Sequence, residues 1–282
     1  RKLCIKPDFH LQTCPPNTDG QVHMSAIHEH ATDTTGFLSV MTANNETGVV
    51  NDVFRIGKFC KENRILFHTD AVQAAGIVPF DMQDTVWEAV DFLTISGHKI
   101  NGPKGTGAIF ARNPMLLAPL ICGGAEQEFG FRGGTENVAG IVGLGAACEI
   151  SSREYTKHLN YLTVQHSQLI FMLKQLAKEK GIEIKINGDP CNAVPKTLSL
   201  CIPGIDSQTL ILMLDSKQIC VSAGSACTAH ENLPSHVLTA MGVSEDDARS
   251  SLRISLSHLN NPDEIESAAH EIMNCATVLK SL

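Results

Sequence analysis

The sequence lacks the features that mark several classes of protein. Its 282 residues contain 22 lysines and arginines against 30 aspartates and glutamates, a net charge of −8. This balance, with no basic block, argues against a nucleic-acid-binding protein and against attachment to a membrane surface. No apolar run approaches the length of a transmembrane helix. The first residues, RKLCIKP, lack the apolar region of a secretory signal peptide. We therefore expect a protein that binds neither nucleic acid nor a membrane.

Ten cysteines are present, but no two of them form a C-x-x-C pair. Without that spacing a structural zinc site is not expected, and we predict no metal site. The lack of a signal peptide and of disulfide-like spacing favours a reducing compartment, with the cytoplasm as the expected location. Cys60, Cys148 and Cys201 lie within apolar runs, where a thiol usually behaves as a small hydrophobic group.

In the first half of the sequence, short apolar runs alternate with segments that have helical periodicity. We predict strands over residues 36–41, 65–67, 92–96 and 107–110, and a helix over residues 51–63. Strand, helix and strand at this spacing are typical of βαβ units, so the expected fold class is α/β with a mainly parallel sheet. In such sheets ligands bind at the carboxyl ends of the strands.

The pattern changes after residue 134 and predicts a second, smaller α+β domain. Further strands are expected over 182–186, 197–201, 219–221 and 251–256, and helices over 137–149, 154–180, 207–214 and 263–282. We place the boundary near residue 152. The predicted division is a large domain, residues 1–152, and a smaller C-terminal domain, residues 153–282.

Two residues at predicted strand ends suggest cofactor chemistry. Lys99 follows a strand in the sequence SGHK, where an amine could form a Schiff base with a carbonyl cofactor. A lone lysine of this kind is usually only solvated. Asp70 changes that balance, because it ends the preceding strand and pyridoxal phosphate needs an acid beside its ring nitrogen. Asp70 alone could equally be a helix N-cap.

Cys227 lies in a stretch of small and polar residues, SAGSACTAH at 222–230. An exposed loop thiol is reactive where a neighbouring group stabilises its thiolate, and His230 and His236 are candidates for that neighbour. On this evidence alone Cys227 is either a nucleophile or an ordinary surface thiol.

Six short motifs in this order resemble the cysteine desulfurases, pyridoxal-phosphate enzymes of the class V aminotransferase group. They are ANNETG at 43–48, HTDAVQ at 68–73, SGHK at 96–99, NGPKG at 101–105, GGTEN at 133–137 and GSAC at 224–227, the last followed by LPSHVL at 233–238. The resemblance covers essentially the whole chain. It implies the fold type I of pyridoxal-phosphate transferases, with a large domain carrying the cofactor and a smaller one carrying the cysteine loop.

The resemblance also implies a set of cofactor-binding residues. Lys99 matches the Schiff-base lysine, and Asp70 matches the partner of the pyridinium nitrogen. The other positions that match cofactor ligands are Asn45 and Gln73 near the ring hydroxyl, Ser96 and His98 at the phosphate, and Thr135 at the phosphate of a neighbouring subunit.

Three residues match positions that handle the substrate and its sulfur. Asn45 and Arg253 match residues at the substrate carboxylate, a role that suits the planar fork of arginine. Cys227 matches the cysteine that takes the sulfur. The implied catalytic residues are therefore Lys99, Asp70 and Cys227.

The implied reaction converts L-cysteine to L-alanine and leaves a persulfide on the enzyme. Its sulfur would pass to an acceptor protein such as an iron–sulfur scaffold, and a homodimer is expected because Thr135 would complete the partner subunit's site. Selenocysteine lyase shares these motifs and is the alternative activity. The family also has an N-terminal segment with a phosphate loop and a ring-stacking histidine that we do not find here. The second alternative is therefore a truncated, non-catalytic scaffold protein.

Overall fold

The computed structural model describes residues 9–124, 126–224 and 234–281. Their helices are α1 Met24–His30, α2 Val53–Glu62, α3 Val138–Arg153, α4 Tyr155–Lys180, α5 Ser207–Asp215, α6 His236–Ala240, α7 Glu245–Arg249 and α8 Pro262–Lys280. Their strands are β1 Phe37–Met41, β2 Leu66–Asp70, β3 Phe92–Ser96, β4 Gly107–Ala111, β5 Lys185–Ile186, β6 Thr197–Cys201 and β7 Ser251–Ser255. Cys227 and His230 lie outside the described residues.

The first sheet has four strands in the order β1-β2-β3-β4. β1 pairs with β2 and β2 with β3 in parallel, whereas β4 returns antiparallel to β3. The predicted α/β class with a mainly parallel sheet is thus confirmed. In the register of the sheet Asp70 lies between Met41 and Thr94, so β1, β2 and β3 end near one edge.

Helix α2 makes the crossover between β1 and β2. The Asp52 side chain accepts a hydrogen bond from the backbone N–H of Arg55 and so caps the helix N-terminus. Val53, Ile56 and Cys60 are buried on one face at helical spacing. Helix α2 therefore forms because of its N-cap and its apolar face, and both features can be recognised in the sequence.

The second sheet is antiparallel, in the order β5-β6-β7. All five residues of β6 are buried, as expected of a central strand. Helix α8 begins with a capping box, in which Asn261 and Glu264 each bind the other's backbone N–H. Helices with this antiparallel sheet match the predicted α+β character of the C-terminal part.

The described residues group into two compact units. Gly36–Ala43 and Asp52–Leu159 form one, which we call the Lys99 unit. The described residues of Arg1–Thr35, Asn44–Asn51 and Asn160–Leu282 form the other, the Arg253 unit. This grouping differs from the predicted contiguous division at residue 152. The physical reason is backbone pairing across the sequence, since Val49 forms a β-bridge with Ala193.

Two predicted strands are wrong in extent because helix ends use their first residues. The backbone N–H of Ile219 donates to the carbonyl of Leu214 and closes α5, so residues 219–221 form no strand, and only Ser222 bridges to Arg253. Similarly, the N–H of Ile182 donates to Ala177 at the end of α4. The strand predicted over 182–186 is therefore reduced to β5.

Candidate active site

A row of polar side chains lies on one face of the first sheet, within the Lys99 unit. Ser39 is in register with His68, and Asp70 is in register with Thr94. Because alternate residues of a strand share a face, His68 and Asp70 lie on the same side of β2, and Ser96 follows Thr94 on β3. A polar face on a mainly parallel sheet indicates a binding site rather than a packed interior.

His68 is held between two hydroxyl groups on this face. Its Nδ1 lies 2.8 Å from Ser39 Oγ, and its Nε2 lies 3.2 Å from Thr94 Oγ1. Desolvation lowers the pKa of His68, and the negative charge of Asp70 partly opposes this shift. The imidazole is therefore favoured in its neutral form. Ser39 and Thr94 were not predicted as site residues, although the alternation of polar residues along β2 and β3 was a usable signal.

Asp70 is the last residue of β2 and is half-buried. One of its carboxylate oxygens accepts a hydrogen bond of 2.9 Å from the backbone N–H of Val72. This bond turns the chain away from the sheet into the turn that carries Gln73, which is also half-buried. The carboxylate is thereby fixed at the carboxyl end of the strand, where the sequence predicted it.

Lys99 lies in the 3₁₀ turn Gly97–Ile100 that directly follows β3. A Cβ atom on Gly97 would lie 2.7 Å from Thr106 Oγ1, so any other residue at this position would force its neighbours to shift. Ile100 is buried in a small apolar cluster with Ala75 and Leu144, which anchors the turn from below. The Lys99 side chain is exposed on this rigid support.

Ser96 and His98 flank the start of the same turn. Ser96 Oγ lies 2.8 Å from His98 Nδ1, so the two predicted phosphate ligands are in contact. The hydroxyl and the imidazole are both groups that can donate to an anion.

The candidate substrate residues meet in the Arg253 unit. Arg253 lies on β7, and its Nη1 donates a 3.1 Å hydrogen bond to the backbone carbonyl of Asn45. Asn45 is held in a tight turn, because the side chain of Asn44 accepts from the backbone N–H groups of Glu46 and Thr47. The structure therefore brings together two residues that the sequence places far apart.

Thr135 is exposed in the segment that precedes α3. The neighbouring backbone is fixed by Gln127, whose side-chain oxygen accepts from the N–H groups of Gly124 and Gly134. His236, the other candidate partner of Cys227, is exposed at the start of α6.

The described cysteines differ in exposure. Cys60 and Cys201 are fully buried, and burial raises the pKa of Cys60 to about 12 and that of Cys201 to about 11. These thiols stay protonated, as expected of small hydrophobic side chains. The exposed cysteines among the described residues are Cys122, Cys191 and Cys220, which the sequence did not distinguish from the buried ones.

The described residues hold no group of three or more His, Cys, Asp or Glu side chains able to bind a metal ion. In the same part of the chain, no helix has both the length and the apolar character needed to cross a membrane.

The donor set of the Lys99 unit fits pyridoxal phosphate. The cofactor needs an amine for its aldehyde, an acid for its ring nitrogen and donors for its phosphate. Lys99, Asp70 and the Ser96–His98 pair supply these groups at the carboxyl ends of two adjacent parallel strands, β2 and β3. The fold and this donor set define a pyridoxal-phosphate-dependent enzyme of fold type I.

The comparisons with known proteins agree with this class. The aminotransferase class-V family matches residues 1–267. The chain is 42% identical to the IscS 1 protein of Bacillus subtilis (strain 168), over 97% of this chain and 70% of that protein. The chain belongs to the class-V aminotransferase family, a family of enzymes whose cofactor is pyridoxal phosphate.

Further similar proteins include one curated relative and two solved structures. The cysteine desulfurase IscS of Methanosarcina thermophila is 36% identical over 97% of this chain and 66% of that protein. The NifS-like protein from Rickettsia africae ESF-5 superposes with a TM-score of 0.85 at 32% identity, covering 97% of this chain and 72% of the other. A structure of SspA in complex with cysteine superposes with a TM-score of 0.70 at 32% identity, covering 89% and 67%. The chain spans between 60% and 70% of the length of the curated relatives it matches.

Proposed function

We propose that the protein is a cysteine desulfurase, which converts L-cysteine to L-alanine and leaves the sulfur as a persulfide on Cys227. The observation that carries this proposal is the placement of Asp70 and Lys99 at the ends of two adjacent parallel strands. The names of the relatives indicate cysteine as the substrate. One relative is named a cysteine desulfurase, and another was solved in complex with cysteine.

Pyridoxal phosphate, when bound, supplies a ring that accepts electrons from the Cα of an amino acid. Asp70 would hold a proton on the ring nitrogen, Gln73 and Asn45 would orient the ring hydroxyl, and Ser96 and His98 would donate to the phosphate. We assign these roles because Asp70 and Asn45 lie in turns held by hydrogen bonds from backbone N–H groups to side chains, and because Ser96 contacts His98.

Side chains of this protein make and break the bonds in the proposed reaction. Lys99 Nζ takes the proton from Cα of cysteine, while Arg253 and Asn45 hold the substrate carboxylate. The Cys227 thiolate attacks the substrate sulfur, so an S–S bond forms as the Cβ–S bond breaks, and the carbon skeleton gains a proton to become alanine. Cysteine and one enzyme thiol are thus converted to alanine and one enzyme persulfide.

We propose a second copy of this chain as one partner. Large apolar side chains are exposed on the elements around Thr135, including Leu120 and Phe129 at 91% and 92% exposure and Val142 on α3. Exposed apolar surface of this kind is typical of an interface. A homodimer would bury it and bring Thr135 to the partner's site.

The other partner is a protein that accepts sulfur, such as an iron–sulfur scaffold, and the cytoplasm is the proposed location.

The test uses the full-length protein loaded with pyridoxal phosphate. We expect visible absorbance from the bound cofactor, and equal amounts of alanine and transferable sulfur from cysteine. Selenocysteine, assayed in parallel, distinguishes a lyase, which would act on it and not on cysteine. A folded protein that binds no cofactor would overturn the proposal in favour of a scaffold. The mass in solution at micromolar concentration tests the dimer separately.

A further inference from the structure

Glu46 is a buried acidic residue to which the proposed reaction assigns no role. It is only 2% exposed, and it directly follows Asn45 in the tight turn described above. Burying an ionised carboxylate is strongly unfavourable unless hydrogen bonds compensate it. An acid buried at such a position therefore needs specific partners for its oxygens.

One contact of the Glu46 carboxylate is with Ser235, the N-cap of α6. Ser235 Oγ donates a 2.5 Å hydrogen bond to Glu46 Oε2. The same Oγ accepts from the backbone N–H groups of Val237 and Leu238. A hydroxyl has one proton and two lone pairs, and here all three are used. Glu46 thus fixes the direction of the hydroxyl proton and leaves both lone pairs to the helix.

The Glu46 carboxylate also lies close to Gly224. A Cβ atom placed on Gly224 would lie 3.1 Å from Glu46 Oε2 and 3.5 Å from Ser235 Cβ. Gly224 also has a φ of +56°, a conformation that other residues rarely adopt. The carboxylate therefore lies against two points of the chain, one on each side of residues 225–233, the segment that contains Cys227.

The same part of the Arg253 unit also includes Arg253 itself. The backbone of Arg253 exchanges two hydrogen bonds with Ser222, of 3.1 and 2.6 Å, and its Nη1 binds the carbonyl of Asn45. Asn45 is the chain neighbour of Glu46. The chain at Gly224 and Ser235 is thus tied to the proposed substrate-binding arginine through a closed set of short contacts.

We propose that Glu46 is a positioning residue for the transfer of sulfur to Cys227. Its carboxylate accepts from Ser235 and lies close to Gly224, so the described chain on both sides of residues 225–233 is kept near Arg253. This inference rests on the proposed function of Cys227. It predicts that disturbing Glu46 slows persulfide formation and leaves the binding of cysteine intact.

The experiment compares two substitutions of Ser235 in the full-length, cofactor-loaded protein. Asparagine and aspartate cap helices about equally well, so Ser235→Asn and Ser235→Asp both preserve α6. The asparagine amide can donate to Glu46, whereas the aspartate places a second carboxylate against it. Ser235→Asp should lower the single-turnover rate of persulfide formation at Cys227 by roughly ten- to a hundredfold, and Ser235→Asn should stay within about threefold of the wild type.

Rescue provides the decisive comparison. In the double variant Glu46→Gln with Ser235→Asp the donor and acceptor are exchanged, so the bond can reform and the rate should recover to near that of Ser235→Asn. Asp206→Asn exchanges the same two groups at the N-cap of α5 and is the matched control. It should leave the rate unchanged.

Two further measurements distinguish a loss of positioning from a general loss of folded structure. The change in cofactor absorbance on adding cysteine should keep its concentration dependence in Ser235→Asp. Amide hydrogen exchange of cofactor-free protein should become faster at residues 222–224 and 235–238 in Ser235→Asp and return in the double variant. Equal persulfide rates for Ser235→Asp and Ser235→Asn, or a failure of the double variant to recover, would overturn the inference. If the wild type forms no persulfide from cysteine, the proposed function fails, while the exchange data still decide whether Glu46 holds these two anchors.

Discussion

The two units assemble their candidate residues in different ways. In the Lys99 unit, Asp70 ends β2, Ser96 ends β3 and Lys99 follows β3, and these two strands are neighbours both in sequence and in the sheet. In the Arg253 unit, Arg253 Nη1 reaches the carbonyl of Asn45, a contact between positions 208 apart. Local motifs therefore place the first set, and long-range backbone pairing places the second. Substitutions in the two units should accordingly have different effects on the protein.

The largest effect is expected for Lys99→Ala. Removing the amine would remove both the proposed attachment point of the cofactor and the group proposed to move the Cα proton, so turnover should fall by roughly a thousandfold or more. Alanine production and borohydride trapping of the cofactor measure the two losses. Lys58→Ala, which changes an exposed lysine on α2, is the control. A cofactor adduct that borohydride still traps in Lys99→Ala would contradict the assignment.

Cys227→Ser should abolish sulfur transfer while the cofactor still binds and responds to cysteine. Serine is too weakly acidic to act as the nucleophile that a thiolate supplies. Mass spectrometry of the persulfide, beside the cofactor spectrum, checks both parts. Cys122→Ser, Cys191→Ser and Cys220→Ser alter the thiols that are exposed among the described residues and should transfer sulfur normally. Undiminished sulfide release from Cys227→Ser would move the acceptor role to another thiol.

Arg253→Lys should raise the KM for cysteine by roughly ten- to a hundredfold and change kcat less. An ammonium group cannot reproduce the two parallel hydrogen bonds that a guanidinium group offers a carboxylate. Steady-state kinetics at saturating cofactor measure the split. Arg249→Lys, an exposed arginine at the end of α7, serves for comparison. A fall in kcat alone would place Arg253 at the reacting atoms instead of the carboxylate.

The smallest effect is a pH dependence of stability due to His68. Its pKa in the folded protein is lowered from the ordinary value of 6.5, chiefly by desolvation. The unfolded chain therefore binds the proton more readily, and the free energy of unfolding should fall as the pH drops below about 6.5. His68→Asn should flatten this slope in denaturant titrations between pH 7 and pH 5.

Much of the Lys99 unit could be predicted because its signals are local. The apolar run at 92–96 matches β3 exactly, and Asp70 and Lys99 lie at strand ends as expected. The polar partners Ser39 and Thr94 were missed, since a single hydroxyl within an apolar strand is common and becomes informative only when the register places it beside His68.

The Arg253 unit was harder to predict for a physical reason. Whether Ile219 extends a strand depends on the end of α5, which uses its N–H, and the sequence does not show that competition. The assignment of residues 44–51 to this unit depends on the bridge between Val49 and Ala193. The contact between Glu46 and Ser235 likewise joins positions that no local pattern connects.

The interleaved path of the chain has a consequence for synthesis on the ribosome. The Lys99 unit ends at Leu159, so all of its strands emerge before β6 is made. The turn at Asn44–Asn51 emerges early but must wait for Ala193 and Arg253 before its pairing partners exist. Contacts of such large sequence separation form late in folding. The nascent protein should therefore acquire the support for Lys99 first and the framework around Glu46 last, so that interrupted translation affects the Arg253 unit most.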